Sequence, residues 1–221
     1  MTEIPDFIDA HGKRLRDYPR PSVAVDTALL TVDGDQLLVL EVRRDDGTGW
    51  ALPGRIVRER ERLAVAVEKS LEDKAGVRGL TPRQLRVFDE PDRDPRDWVM
   101  SVAHIAAVPL DRLATRFPDR TRLMPVGRPG RLPYRHDDII ALAVEELRSR
   151  YRVEPDPDGF VGDEFTMRAL RHVHETVLGE RLDPDTFRRK MLKTGMLTQT
   201  KRDTEGMRGR PAEIFSRKGE R

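Results

Sequence analysis

The first hundred residues alternate between apolar runs and turn sequences, a pattern that predicts a β-sheet. Residues 23–32 and 36–42 are rich in leucine and β-branched side chains, and Asp33-Gly34-Asp35 between them has the composition of a hairpin turn. Residues 83–88 and 99–108 have the same strand-like composition. We therefore predict a sheet of at least four strands that begins with an antiparallel hairpin.

Apolar residues at helical spacing predict two helices in the same part of the chain. Leu63, Val67 and Leu71 share one helical face, and Gly76 is a suitable helix stop. A second amphipathic helix is predicted to begin at Asp137, whose side chain is a suitable N-cap. The order of strands and helices indicates an α+β domain.

Two segments are predicted to lack regular structure. Residues 117–133 are rich in proline and arginine and are expected to be irregular. Residues 153–162 contain two prolines, two glycines and several acids, which is typical of a linker. The linker divides the chain into predicted domains at residues 1–152 and 163–221.

The second predicted domain begins with two capped helices. Thr166 can cap the first, which ends at Gly179, and Asp183 followed by Pro184 is a typical start for the second. Gly195 is a suitable stop for that second helix. Because only about four residues join the two helices, the pattern predicts a helix-turn-helix.

The second of these helices has an apolar side and a basic side. Phe187 and Met191 lie about 40° apart on the helical wheel and are predicted to face the core. Arg188 lies near the apolar side, where it is either a phosphate contact or a structural residue. The opposite side suits a DNA major groove and carries Thr186, Arg189, Lys190 and Lys193.

A predicted hairpin follows the helix-turn-helix. Residues 197–201 and 212–216 alternate between apolar and polar side chains, as the two strands of a wing would. Arg208 and Arg210 would then lie near the tip, where basic side chains usually contact phosphates.

Charge separates the two predicted domains. The chain has 41 Lys or Arg and 39 Asp or Glu, a formal net charge of +2. From residue 186 to the end there are eleven basic and four acidic residues, a net charge of +7, whereas the preceding 185 residues have a net charge of −5. This asymmetry suits a polyanion-binding C-terminal module, and the caps, turn and wing favour DNA binding over a merely basic tail.

The composition restricts the possible chemistry and location. There is no cysteine, so disulfides, thiolate metal sites and cysteine nucleophiles are excluded. No run approaches the ~20 apolar residues needed to cross a bilayer. We expect a cytoplasmic protein that does not associate with membranes.

Residues 50–77 resemble the Nudix box, GX5EX7REUXEEXGU, in which helical glutamates hold Mg²⁺ against a diphosphate. Glu61 is retained, whereas Arg55 replaces the glycine of the pattern and Lys69 replaces its arginine. The three core glutamates correspond to Ser70, Asp73 and Lys74, positions that fall within about 100° of one another on an ideal helix. We expect no catalytic residues, no metal site and little pyrophosphate hydrolysis.

A Nudix-like domain that has lost its catalytic residues can still bind a nucleotide. Trp50 suits either nucleotide contact or simple packing, and Arg93 and Arg96 suit either a phosphate clamp or a solvated loop. Lys74 and the loop arginines would compensate phosphate charge in place of a metal. The candidate effector-binding residues are Arg43, Arg44, Trp50, Arg55, Glu61, Lys74, Arg93 and Arg96.

The combination of the two domains resembles the NrtR family, Nudix-related transcriptional regulators of NAD metabolism. The segments that carry this resemblance are Arg20-Pro21-Ser22-Val23-Ala24-Val25-Asp26, Trp50-Ala51-Leu52-Pro53-Gly54, Arg93-Asp94-Pro95-Arg96, His136-Asp137-Asp138-Ile139, Phe187-Arg188-Arg189-Lys190 and Gly209-Arg210-Pro211. The resemblance implies a Nudix-like α/β/α sandwich with a mixed sheet, followed by a C-terminal winged helix-turn-helix domain. Arg55 and Arg135 depart from the family pattern.

The same resemblance implies a function. The chain would be a homodimeric repressor of NAD biosynthesis or salvage genes that binds a palindromic double-stranded DNA operator. ADP-ribose or a related NAD-derived nucleotide would act as effector, with no cofactor required. Two alternatives stay open: a nucleotide pyrophosphatase that uses Glu61, Asp73 and either Glu68 or Glu72, and a scaffold that binds neither ligand nor DNA.

Overall fold

The computed structural model describes residues 8–202 and 213–218. Strands β1 (Ser22–Asp33) and β2 (Gln36–Arg43) form the predicted hairpin, in which Asp33 pairs with Gln36 around the tight turn. Gly34 in that turn has a φ of +54°, a conformation that glycine adopts without steric cost. The local turn chemistry therefore set the register of the first two strands, as predicted.

The hairpin belongs to a seven-stranded mixed sheet. Its other strands are β3 (Trp50–Ala51), β4 (Gly54–Ile56), β5 (Arg83–Phe88), β6 (Val99–Ala107) and β7 (Thr121–Pro125). The main order is β3-β2-β1-β6-β5, with β4 paired to β1 and β7 paired to β2. Only the pairing of β1 with β6 is parallel among the described strands, so the predicted mixed sheet is confirmed.

One segment predicted to be irregular contains a strand. Residues 117–133 include β7, which pairs antiparallel with β2 from Leu38↔Pro125 to Val42↔Thr121. Pro125 is tolerated because it is the last residue of the strand, where a missing N–H does least harm to the ladder. The prediction for this stretch was wrong because its partner strand lies about 80 residues earlier in the sequence.

Helices cover both faces of the sheet. Helix α1 (Leu63–Ser70) continues into a π-helical turn (Leu71–Ala75) and ends at Gly76, whose φ is +72°. Helix α2 (His136–Tyr151) packs against the other face. The resulting two cores, one beneath each helix layer, confirm the α/β/α sandwich.

The start of α2 differs from the prediction. Arg135, with a φ of +54°, is the N-cap residue, and its side chain makes no capping hydrogen bond. Asp137 is the second residue inside the helix and cannot be the N-cap. It lies in the first turn, where a carboxylate is favoured by the helix dipole.

The C-terminal domain is a winged helix. Its elements are β8 (Glu164–Thr166), α3 (Met167–Leu178), α4 (Pro184–Lys193), β9 (Leu197–Arg202) and β10 (Glu213–Arg217), and its sheet has the order β8-β10-β9. The predicted caps are confirmed, because Thr166 Oγ1 accepts from the Ala169 N–H at 3.1 Å and Asp183 Oδ1 from the Thr186 N–H at 2.9 Å. Strand β8 was not predicted.

Helix α3 contributes to two cores. Leu170 packs with Phe187, Met191 and the wing, whereas Val173 and Val177 pack with the residues of α2.

Residues 153–162, which were predicted to form a linker, are partly buried, since Asp156 is completely buried. Across residues 8–202 and 213–218, no helix has the length and apolar character needed to span a membrane.

Candidate functional site

A pocket of about 450 Å³ opens beside β1 and β2 at the start of α2. Its lining includes residues from the β2–β3 loop, the end of the π-helical turn, the β5–β6 loop and the loop before α2. Six of the eight predicted effector residues line it: Arg43, Arg44, Arg55, Lys74, Arg93 and Arg96. The fold thus brings together cationic side chains that are up to 53 positions apart in the sequence.

A buried carboxylate forms the floor of this pocket. Asp26 Oδ2 accepts a hydrogen bond from Ser101 Oγ at 2.5 Å and lies 3.7 Å from Arg93 Nη2, while Oδ1 lies 3.3 Å from His136 Nε2. Burial alone would raise the pKa of Asp26, but the attraction of His136, the Ser101 hydrogen bond and the charge of Arg93 together lower it. His136 is held in turn by the Leu52 N–H, which donates to Nδ1 at 3.0 Å. The carboxylate is therefore ionised and fixes its neighbours.

Gly54 is required by this floor. A Cβ at position 54 would overlap Asp26 Oδ1 and come within 2.8 Å of the Val25 carbonyl oxygen. The glycine of the Trp50–Gly54 loop thus allows the backbone to pass directly over the buried carboxylate.

Tyr134 organises three of the arginines. Its carbonyl accepts from Arg93 Nη2 at 2.9 Å, its hydroxyl accepts from Arg44 Nη2 at 3.2 Å, and the Arg96 guanidinium lies 4.3 Å from its ring centre. Tyr134 and Arg135 have φ values of +57° and +54°, a left-handed conformation that is costly for non-glycine residues. This strained turn holds the arginines in place before a ligand arrives.

The pocket lining has an excess of cationic side chains, six Arg or Lys against four Asp, which suits an anionic ligand. Lys74 Nζ pairs with Asp45 Oδ2 at 3.2 Å, and Arg44 Nη2 pairs with Asp46 Oδ2 at 2.7 Å. These acids are exposed on a loop, and such surface pairs contribute little to stability, so a phosphate can replace them at small cost. Within the described part of the chain, the side chain of Arg43 has no hydrogen-bonding or ionic partner.

The three positions that correspond to the core glutamates of the Nudix box differ in their exposure. Ser70 is buried, Asp73 is exposed and does not line the pocket, and Lys74 lines it. The π-helical turn begins at Leu71, so the side chains that follow depart from ideal α-helical spacing. Among the described residues there is no group of three or more His, Cys, Asp or Glu side chains that could hold a metal ion.

The retained glutamate has a different position from the one predicted. Glu61 lies outside the pocket lining, where Oε2 accepts from the Arg58 N–H at 2.9 Å and Oε1 lies 3.3 Å from Arg55 Nη1 and 3.7 Å from Lys69 Nζ. The backbone hydrogen bond from Arg58 and the neighbouring cations lower its pKa. Glu61 thus orients Arg55 toward the pocket.

Trp50 also lies outside the lining, with its ring 4.5 Å from the Arg122 guanidinium, which favours the packing alternative.

Four residues that build the floor or hold the arginines were missed as site residues: Asp26, Ser101, Tyr134 and His136. The available signal was the presence of Asp26 and Ser101 within strands that are otherwise apolar, since a buried polar group needs a partner.

The second helix of the helix-turn-helix has the predicted sides. Phe187 and Met191 are buried, and the residues predicted to face DNA are exposed: Thr186, Arg189, Lys190 and Lys193. Arg188 makes a structural contact, because Nη2 pairs with Glu213 Oε2 at 2.6 Å and the guanidinium lies over the Phe215 ring. Its contact with a DNA phosphate stays a prediction. Arg208 and Arg210 lie outside the described residues.

Comparison with known proteins gives matches to both domains. Residues 159–216 match the NrtR DNA-binding winged helix domain. The ADPR responsive transcriptional repressor NtrR of Acinetobacter baylyi is 27% identical over 209 residues, which is 90% of this chain and 83% of the relative. An ADP-ribose pyrophosphatase of Methanocaldococcus jannaschii is 33% identical over 96 residues, which is 43% of this chain and 56% of the relative.

Solved structures agree with this assignment. Shewanella oneidensis NrtR complexed with a 27mer DNA has 29% identity and a TM-score of 0.73, covering 89% of this chain and 93% of that one. The Nudix domain of the same protein complexed with ADP ribose has 26% identity and a TM-score of 0.53, covering 62% of this chain and 95% of that one. Since the winged helix, the Nudix-like sandwich and the relatives that span both domains all agree, this chain resembles the NrtR family of Nudix-related transcriptional regulators along most of its length.

Proposed function

We propose that this chain is a DNA-binding transcriptional repressor of NAD biosynthesis or salvage genes. Its effector is ADP-ribose or another NAD-derived nucleoside diphosphate, bound in the pocket beside β1 and β2. The observation that carries the proposal is a pocket lined by six cationic side chains on the same chain as an exposed basic recognition helix. The A. baylyi repressor and the DNA and ADP-ribose complexes of S. oneidensis NrtR support it.

Helix α4 supplies the proposed DNA contacts. Arg189, Lys190 and Lys193 are exposed and form no ion pair with any described residue, so their charges are available to bases and phosphates. Lysine and arginine on a helix of this kind read guanine edges or neutralise phosphates. A homodimer would present two such helices to half-sites about 34 Å apart on a palindromic operator.

Replacing Arg189 and Lys193 together by alanine should lower affinity for DNA from upstream of the protein's own gene by at least about tenfold, since each lost contact costs about 1–3 kcal/mol. Electrophoretic shifts at several salt concentrations measure this, and the affinity of the native protein should fall as salt rises. The matched control is the Arg58→Ala, Arg62→Ala double variant, which removes two exposed charges from the Nudix-like domain. Equal affinity of the Arg189/Lys193 variant and the control would contradict the DNA interface.

The pocket is proposed to bind a diphosphate without a divalent cation. Arg55 and Lys74 occupy positions where the Nudix pattern has a glycine and a metal-binding glutamate, and both line the pocket. Guanidinium and ammonium groups can neutralise phosphate oxygens directly, and arginine can do so with two parallel hydrogen bonds. In this structure Arg55 forms an ion pair with Glu61, and Lys74 forms an ion pair with Asp45.

Lys74→Glu should therefore weaken ADP-ribose binding by at least about tenfold in the presence of a chelator, because an attraction of roughly 1 kcal/mol or more becomes a repulsion. Isothermal titration calorimetry with ADP-ribose in EDTA measures this. Arg62→Glu introduces the same charge change at the exposed N-cap of α1, away from the pocket, and should leave the affinity unchanged. Unchanged affinity in Lys74→Glu would eliminate the direct role of this ammonium group.

A second candidate function is hydrolysis of ADP-ribose, which the match to the M. jannaschii pyrophosphatase favours. The donor set argues against it, since Asp73 faces solvent and Lys74 takes the place of a ligand. Incubation with ADP-ribose and Mg²⁺ distinguishes the two functions. AMP release at an ordinary enzymatic rate, about 1 per second or faster, would favour the hydrolase.

A further inference from the structure

The residues predicted to form a linker surround a buried carboxylate. Asp156 is completely buried and has a φ of +51°. Its Oδ1 accepts from Tyr151 Oη at 2.7 Å and the Phe160 N–H at 2.9 Å, while Oδ2 accepts from the Val161 N–H at 3.0 Å and Arg217 Nη1 at 2.7 Å. Four donors to one buried carboxylate leave it little freedom to exchange partners.

The same residue also contacts the helix-turn-helix. The Asp156 N–H donates to His174 Nε2 of α3 at 3.2 Å. Burial lowers the pKa of His174 to about 4, so its imidazole is neutral and can accept this bond. The His174 ring lies between Tyr151, at 5.0 Å, and Phe187 of helix α4, at 4.9 Å. The last residue of α2 is thus joined to both helices of the DNA-binding unit.

A second route leads from Asp156 through the wing to the recognition helix. Arg217 belongs to β10, and besides Asp156 its guanidinium donates to the Gly162 carbonyl at 2.6 Å. Glu213 at the start of the same strand pairs with Arg188 of α4 at 2.6 Å. Strand β10 is therefore held to the linker at one end and to the recognition helix at the other.

Helix α2 connects this arrangement with the pocket. Its first residue, His136, lines the pocket, and its last, Tyr151, donates to Asp156. Sixteen helical residues span about 24 Å, and a helix packed along its length moves as a unit. A displacement at the pocket end would in this way be transmitted to the Asp156 end.

We propose that Asp156 is the positioning residue that couples the effector pocket to the recognition helix, and that its bonds to Tyr151 and Arg217 set how much effector binding changes DNA affinity. The inference rests on the proposed function. It adds that communication between the two sites passes through a carboxylate that belongs to neither. Such coupling is a free energy shared by the two sites, and it is measured as the ratio of DNA affinities with and without effector.

Two variants test this inference in the full-length protein. Arg217→Gln removes the charged donor from the wing, and Tyr151→Phe removes only the hydroxyl at the end of α2 and keeps the ring. ADP-ribose affinity should stay within about twofold of the native value in both. The factor by which ADP-ribose changes DNA affinity, typically 5–150-fold in allosteric proteins, should move toward one.

Asp158→Asn provides the matched control. Asp158 lies two residues from Asp156 and pairs with Arg150 at 2.9 Å, within the same end of the Nudix-like domain. It should change the melting temperature without changing the affinity ratio. A purely structural role for Asp156 would give the same pattern in all three variants, namely lower melting temperatures with the native ratio.

The outcomes separate this inference from the proposed function. If Arg217→Gln and Tyr151→Phe both keep the native ratio of DNA affinities, the inference is overturned. Effector-controlled DNA binding is then unaffected. A native ratio of one, with DNA still bound, overturns effector control and the coupling together. If Arg217→Gln does not fold, Tyr151→Phe alone decides, because it removes one hydroxyl and keeps the packed ring.

Discussion

Asp26→Asn should lower the free energy of unfolding by about 3–5 kcal/mol, the cost of leaving a buried cation without its counter-charge. The Arg93 side chain is only 1% exposed, and the substitution removes the negative charge that lies 3.7 Å from its Nη2. The hydrogen bond from Nη2 to the Tyr134 carbonyl would remain. Because asparagine has nearly the same volume, the loss reports on charge and not on packing. Urea denaturation at pH 7 measures the effect.

The contribution of Asp26 to the free energy of unfolding depends on pH in a direction that follows from its pKa. The pKa of Asp26 in the folded protein is lowered, so its contribution is present at neutral pH and is lost as pH falls below about 4. The difference between native and Asp26→Asn proteins should therefore shrink in acid. Asp33→Asn, at the exposed end of the same strand, is the control and should cost less than about 0.5 kcal/mol. Equal losses for the two variants would contradict the proposed role of the floor carboxylate.

Arg122→Met should destabilise the protein by about 3 kcal/mol for the complementary reason, since it leaves a buried anion unpaired. The Glu41 side chain is completely buried. Arg122 Nε donates to its Oε2 at 2.8 Å and Nη2 lies 2.7 Å from the same oxygen, while Oε1 has no hydrogen-bonding partner. Methionine keeps much of the aliphatic volume beside Trp50. Thermal or urea unfolding measures the loss.

The pH dependence of this variant has the opposite sign. Burial raises the pKa of Glu41, and Arg122 opposes that rise, so the pKa should rise further in Arg122→Met. A raised carboxyl pKa means that the folded state holds a proton which the unfolded chain has released, so stability falls as pH rises above about 4. The deficit should be smaller at pH 5 than at pH 8. Adding Glu41→Gln should recover much of the loss, and a deficit independent of pH and of Glu41 would contradict this account.

The parts of the fold that sequence predicted correctly depend on local signals. The β1–β2 hairpin follows from its turn residues, and the two helices of the helix-turn-helix follow from Thr166, Asp183 and their glycine stops. Strand β7 was missed because its stability comes from pairing with a strand far away in the sequence. The π-helical turn was missed because helical wheels assume a constant angle per residue.

The candidate site shows the same division. Its arginines and Lys74 were identified because they stand in or near a recognisable motif. Asp26 and Asp156 were not identified as organising residues, since their importance lies in partners that arrive from other elements: Ser101, Arg93 and His136 for one, Tyr151, His174 and Arg217 for the other. The partners of a buried carboxylate cannot be identified from a single sequence when they are far away along the chain.

Helix α3 has a consequence for how this protein folds. Its Leu170 belongs to the core of the DNA-binding unit, while Val173 and Val177 complete the core beneath α2. Cutting the chain before residue 163 would remove Asp156 from Arg217 and expose those two valines to water. We therefore expect the Nudix-like domain and the winged helix to stabilise one another, so that each domain is less stable alone than in the full chain.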